Sequence, residues 1–111
     1  MKRHFRYALA NWCMRAVPPH FKLPELCDFA DRDKLGLDLV PYKDWKQVRK
    51  TDVTLSGVLP DMGKDPEDPE KDMAPFVPGF NNPEHATRTY NAIDLALDRA
   101  AEAKIKSILV F

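Results

Sequence analysis

The stretch Ile105-Lys106-Ser107-Ile108-Leu109-Val110-Phe111 decides the predicted fold of this 111-residue chain. Apart from Lys106 and Ser107 it is apolar. In a parallel sheet that is covered on both faces, the sequence of each strand is a nearly continuous run of apolar residues. The stretch therefore predicts a buried parallel strand that needs further elements to cover it.

A helix is predicted immediately before this strand. Asn82 is a suitable N-cap, Pro83 suits the first helical position, and Glu84 lies near the positive end of the helix dipole. Apolar residues then recur on one face as far as about residue 103, namely Tyr90, Ile93, Leu97, Ala100 and Ala101. The pattern predicts a helix over 83–103 with this apolar face.

The earlier part of the chain alternates strand and helix patterns. Strands are predicted at 5–12, 35–40 and 53–59, from period-two alternation or short β-branched and aliphatic runs. Amphipathic helices are predicted at 23–30 and 41–50. The element order is therefore βαβαβαβ, with four strands and three helices, and this order implies a parallel sheet with right-handed crossovers.

Residues 60–82 differ from the rest of the chain. They are rich in proline and acidic residues and show no helical or strand periodicity. In a compact domain, a long loop of this kind is usually either functional or disordered. The acidic residues lack the glycine and the final glutamate of an EF-hand loop, so they are interpreted as a solvated loop.

Two architectures fit the four strands. A (β/α)8 barrel has about 250 residues in eight units, so four strands in 111 residues match its N-terminal half. An open α/β sheet with helices on both faces is the alternative. The pattern of elements leaves both open.

Three stretches resemble the hydroxypyruvate-isomerase-like branch of the xylose-isomerase-type TIM barrels. The first is Asn11-Trp12-Cys13 with the later Leu23-Pro24-Glu25-Leu26-Cys27, similar to a Trp-Cys pair and the helix that follows it. The second is Gly36-Leu37-Asp38-Leu39-Val40 with Asp44-Trp45, although family members usually have Glu at Asp38. The third is Gly79-Phe80-Asn81-Asn82-Pro83-Glu84-His85, which lacks an Asn between Glu84 and His85.

The resemblance covers nearly the whole chain and implies the N-terminal half of a TIM barrel over residues 1–111. It implies a sugar isomerase or epimerase that moves a proton between adjacent carbons of a small hydroxy-carbonyl or sugar substrate. A divalent metal, Mg or Mn, is expected in the full-length family. The family's metal ligands and catalytic carboxylates are expected on later strands, so we predict no catalytic residue and no metal ligand in 1–111, and no activity for this stretch alone.

Five residues are predicted to bind substrate. Asn11 and Trp12 lie at the carboxyl end of the first predicted strand, where barrel sites form. Asn81, Glu84 and His85 lie in the third resembling stretch. Each has a structural alternative: Trp12 could pack under the loops, and His85 could cap or brace its own loop.

Composition and charge limit the class of protein. The 17 basic residues balance the 17 acidic ones, which argues against a nucleic-acid partner. No apolar run approaches the about 20 residues of a membrane helix. Cys13 and Cys27 are too few for a disulfide framework, so a cytoplasmic protein with reduced thiols is predicted.

Two rival functions remain open from the sequence. A non-catalytic half-barrel would self-associate through its exposed strand edges, because unpaired edges recruit partners. A small open α/β module would bind a ligand at its strand ends.

Overall fold

The computed structural model describes residues 6–75, 77–78 and 81–111. Two parallel strands lie in this part of the chain, β1 (Ala8–Ala10) and β2 (Gly36–Asp38), and β1 pairs with β2 over Ala8–Gly36, Leu9–Leu37 and Ala10–Asp38. The same part contains four α-helices: α1 (Asn11–Arg15), α2 (Leu23–Arg32), α3 (Trp45–Val48) and α4 (Ala86–Ala103). Short 3-10 helices at Tyr42–Asp44 and Pro83–His85 precede α3 and α4. The protein is therefore of the α/β class.

The predicted N-terminal half of a (β/α)8 barrel, with four parallel strands and three helices in βαβαβαβ order, is wrong. The described residues form two strands rather than four. The chain divides into two compact units, Met1–Gly57 and Val58–Phe111.

Residues 53–59 were predicted as a strand but form isolated bridges, because β2, which pairs with Leu55, ends at Asp38. Leu37 makes one parallel bridge with Leu55, through Leu37 N–H to Thr54 O at 2.8 Å and Ser56 N–H to Leu37 O at 3.0 Å. Two residues later, Leu39 has a φ of 57°, in the left-handed region. This conformation turns the chain out of the extended direction, so the backbone after β2 presents no further N–H and C=O groups to a neighbouring strand.

Among the described residues, the predicted strand at 105–111 makes a single bridge, Val58 with Ile108, and a different cause limits it. Val58 N–H donates to Ser107 O at 3.1 Å, and Leu109 N–H donates to Val58 O at 2.9 Å. The next donor in a parallel ladder would be the N–H of residue 60, but Pro60 has none. Leu109, Val110 and Phe111 remain 41%, 40% and 50% exposed.

The core of the first unit forms around α2 and β2. The helix prediction over 23–30 is confirmed, with Pro24 in the first turn of α2. Its buried residues are Leu23, Leu26, Cys27 and Ala30. Gly36 allows close packing beside β2, because a Cβ there would lie 2.9 Å from Thr54 Oγ1.

In the second unit, α4 follows a capped start. Asn82 Oδ1 accepts a hydrogen bond from Glu84 N–H at 3.2 Å, which confirms the predicted cap. The predicted apolar face is fully buried only at Ala100, since Tyr90 and Leu97 are 60% and 50% exposed. The buried residues of α4 are Thr89, Ala92, Ala96 and Ala100.

The proline- and acid-rich segment is tied to α4 by a few contacts. Lys64 and Asp72 form an isolated antiparallel bridge, and Met62 and Met73 join Ala92 in a buried cluster. Arg88 Nη1 donates to the carbonyl oxygens of Met62 and Lys64, at 3.0 Å in each case.

Among the described helices, none is both long enough and apolar enough to span a bilayer.

Candidate ligand-binding groove

An open groove of about 630 Å³ lies at the carboxyl ends of β1 and β2. Asn11 and Trp12 follow β1 directly, and Pro41 and Lys43 follow β2 after a short turn. In α/β proteins, ligands bind outside the carboxyl ends of parallel strands. The groove is therefore the candidate functional site of the first unit.

Asn11 is a buried polar residue of this groove. It is only 5% exposed, and its Oδ1 accepts a hydrogen bond from Arg15 Nη1 at 3.3 Å. Its Nδ2 group makes no hydrogen bond to any described residue. Nδ2 is not one of the fully enclosed atoms that lack a partner, so it can be reached from the groove and can donate to a ligand oxygen.

Arg15 is held in place by two acceptors. The same Nη1 atom that contacts Asn11 also donates to Asp44 Oδ2 at 2.9 Å. The side chains of Arg15 and Asp44 are 30% and 19% exposed, so the ion pair is partly shielded from water. The other guanidinium nitrogens of Arg15 make no hydrogen bond within the described part of the chain, so they remain able to bind an anion.

The groove has an excess of positive charge. Three cations line it, Arg15, Lys22 and Lys43, and Asp44 is its single carboxylate. These side chains give the groove a net charge of +2, in a chain whose net charge is zero.

A second cavity, at the amino ends of the same strands, is electrically balanced. It has a volume of about 270 Å³ and is lined by two cations, Arg6 and Lys34, and two carboxylates, Asp31 and Asp52. The positive excess is therefore a property of the carboxyl-end groove and not of every concave surface of this unit.

Comparison with known proteins gives no match. No protein-family model, curated protein or solved structure matches this chain. The resemblance to sugar isomerases therefore stays a prediction, and the chemistry of the groove's own side chains carries the functional conclusion.

The five predicted binding residues are divided between the two units. Asn11 and Trp12 line the groove of the first unit, and Trp12 is 55% exposed. Asn81, Glu84 and His85 lie at the start of the long helix in the second unit. The side chains of Glu84 and His85 make no hydrogen bond to a described residue, so their predicted role in binding stays a prediction.

The described residues do not fit the divalent metal that the resemblance implies. Within residues 6–75, 77–78 and 81–111, no three His, Cys, Asp or Glu side chains lie close enough to hold a metal ion. Magnesium and manganese favour several oxygen ligands. The groove offers one carboxylate, Asp44, which is already paired with Arg15.

The two thiols differ in their surroundings. Cys13 is exposed, whereas Cys27 is buried in α2. Burial raises the pKa of the Cys27 thiol above its ordinary value of 9.0; Asp28 raises it further and Arg15 opposes the shift. Cys27 is therefore a protonated packing residue near neutral pH and not a nucleophile.

Sequence reasoning identified the end of β1 but missed the cations opposite it. Arg15, Lys22 and Lys43 belong to separate segments and share no motif. Only the folding of α2 and the turn after β2 brings them to one groove.

Proposed function

We propose that this chain binds a small hydroxy-carbonyl compound or sugar in the groove at the carboxyl ends of β1 and β2. This binding would be its contribution to a sugar isomerase or epimerase of the hydroxypyruvate-isomerase-like type. The proposal requires no barrel, and it includes no proton-transfer or metal-dependent step.

The observation that carries the proposal is the Nδ2 group of Asn11, which makes no hydrogen bond to a described residue. A site of this kind needs a few fixed polar groups that orient the ligand, and the Asn11 side chain is almost fully buried and fixed by Arg15. Its Nδ2 group can donate to a ligand hydroxyl or carbonyl oxygen.

Trp12 would provide the apolar contact. Its indole ring lines the groove and is more than half exposed. The C–H face of a small sugar can cover such a ring, which removes apolar surface from water. A fixed amide and an aromatic wall together suit a polyhydroxy compound better than a purely apolar one.

Two further features support the wider proposal. The resemblance of Asn11-Trp12-Cys13 and of the stretch containing Glu84 and His85 to sugar isomerases supplies the ligand class. A cytoplasmic location is part of the same proposal and is supported by the two free cysteines, Cys13 and Cys27.

Binding can be tested on the whole chain by NMR titration with D-glyceraldehyde. We expect the indole N–H resonance of Trp12 and the side-chain amide resonances of Asn11 to shift with saturation. The indole resonance of Trp45 should stay in place, because that ring is buried and its Nε1 donates to Val40 O at 2.8 Å.

A matched pair of variants locates the site. Trp12→Ala should weaken binding about tenfold, a loss of about 1.4 kcal/mol, because tryptophan is among the side chains whose truncation costs most at binding sites. Tyr7→Ala removes an aromatic ring that is 61% exposed at the other end of β1, and it should bind like the parent chain. Equal weakening by both variants, or no saturable shift in the parent chain, would refute the proposed function.

A further inference from the structure

We propose that the ligand of this groove carries a phosphate group, bound by Arg15, Lys22 and Lys43. This inference rests on the proposed function, because it concerns the same groove. It adds that the hydroxy-carbonyl compound is a phosphate monoester.

The charge of the groove supports a dianion. Three cations face a single carboxylate, which leaves an excess of two positive charges. A phosphate monoester carries a charge of about −1.5 to −2 at neutral pH. A monocarboxylate would leave one of these positive charges without a counterpart.

The geometry of Arg15 suits the recognition of phosphate oxygens. Asp44 and Asn11 both accept from Nη1, so they fix the guanidinium plane through one of its nitrogens. The remaining nitrogens can donate to two phosphate oxygens at once, which is the arrangement that makes arginine an effective phosphate ligand.

The two lysines are not used by the fold. Neither Lys22 nor Lys43 forms a side-chain hydrogen bond or ion pair with a described residue. Both are exposed, and both line the groove. By contrast, Lys64 and Lys71, in the second unit, are paired with Asp72 and Asp68.

The buried amide of Asn11 adds a second, independent indication of a ligand. It lies in the same groove as the cations; its Oδ1 accepts from Arg15, whereas its Nδ2 makes no hydrogen bond to a described residue. A phosphorylated hydroxy-carbonyl compound could occupy both parts, with its phosphate on the cations and a hydroxyl or carbonyl oxygen on Asn11 Nδ2.

Three matched compounds test the inference on the whole chain: D-glyceraldehyde, D-glycerate and D-glyceraldehyde 3-phosphate. Dissociation constants are measured by calorimetry at one low and one physiological salt concentration. The phosphate ester should bind at least about tenfold more tightly than the neutral aldehyde, and its advantage should shrink with added salt.

Variants then assign the phosphate to the groove. Lys22→Gln and Lys43→Gln should each weaken binding of the phosphate ester about fivefold, from the loss of one charge near the phosphate, which is a larger loss than either variant causes for the neutral aldehyde. Lys46→Gln, in α3, removes an exposed charge outside the groove and should have no effect. All three positions are on the surface, so the fold is expected to tolerate them, which a urea titration of each variant verifies.

The possible outcomes distinguish the phosphate inference from the proposed function. Equal affinity for the aldehyde and its phosphate ester would overturn the phosphate inference and leave the proposed function intact. Glycerate binding as tightly as the phosphate ester would overturn the inference in favour of a monocarboxylate. Phosphate binding that is insensitive to Lys22 and Lys43 would also overturn it, and failure of all three compounds to bind would refute both proposals.

Discussion

Helices α2 and α4 bury side chains of very different size. The buried positions of α2 include Leu23 and Leu26, whereas those of α4 are one threonine and three alanines. The larger helix, α4, also leaves Leu97 half exposed. The comparison shows that an apolar helical pattern predicts that a helix forms, but not which of its faces is buried or how much free energy its burial provides.

The largest expected effect comes from truncating a leucine in each helix. Leu26→Ala should lower the free energy of unfolding by about 3 kcal/mol, because Leu26 is fully buried and its removal leaves a cavity. Leu97→Ala should change it by less than about 0.5 kcal/mol, because Leu97 is already half in water. Urea unfolding of both variants measures this, and similar losses would show that the exposed face of α4 is covered in solution.

A smaller effect is expected from the buried threonine of α4. Thr89 Oγ1 is buried and, within the described residues, has no hydrogen-bond partner. Thr89→Val replaces the hydroxyl by a methyl group of similar size, so it should raise the free energy of unfolding by about 1 kcal/mol.

The control for this substitution lies on the same helix. Thr87 is exposed, so Thr87→Val should leave the unfolding free energy almost unchanged. Destabilisation by Thr89→Val would show that the hydroxyl has a hydrogen-bond partner in solution. In that case α4 would not differ from α2 by burying an unsatisfied polar group.

The smallest expected effect is on the pH dependence of stability, through Cys27 in α2. The pKa of Cys27 is raised above 9.0 in the folded chain, mainly by burial. A raised folded pKa means that the native state holds the thiol proton more tightly, so this contribution to stability is complete below about pH 9 and is lost as the pH rises further. Cys27→Ala should therefore show a shallower decrease in stability between pH 8.5 and about pH 10.5.

Cys13→Ala is the matched control, since Cys13 is exposed. It should retain the alkaline decrease of the parent chain. Identical pH profiles for the parent chain and the Cys27 variant would contradict the role of burial at this position.

Local signals predicted three of the four described α-helices, and the helix they missed, α1, begins where the first strand was predicted to continue. The first-turn proline of α2 and the Asn82 cap before α4 act through neighbouring backbone groups, so they can be recognised in the sequence alone. The strands were predicted only in part: β1 and β2 lie within the predicted stretches 5–12 and 35–40, but 53–59 and 105–111 form isolated bridges, because strand formation depends on a partner. Leu39 and Pro60 each stop pairing at one residue, and neither effect is visible from the apolar character of residues 53–59 or 105–111.

The candidate site was predictable only in part. Asn11 and Trp12 were identified because they follow the first strand, which is a feature of order along the chain. The cations were not, since Arg15, Lys22 and Lys43 meet only after α2 and the turn following β2 have folded. Surface residues that are far apart in the sequence and meet only in the fold produce no periodic pattern that a sequence analysis could recognise.

The left-handed backbone at Leu39 has a consequence for the kinetics of association. A side chain in this conformation costs about 1 kcal/mol or more, so packing around it must hold it. Val40 is buried and its carbonyl oxygen accepts from Trp45 Nε1, and proline fixes the φ of Pro41, so the backbone leading to Lys43 has few conformations to lose when a ligand binds. Entry of a small molecule therefore requires little ordering of this wall, and we expect capture to be limited by diffusional encounter rather than by a slow closing motion.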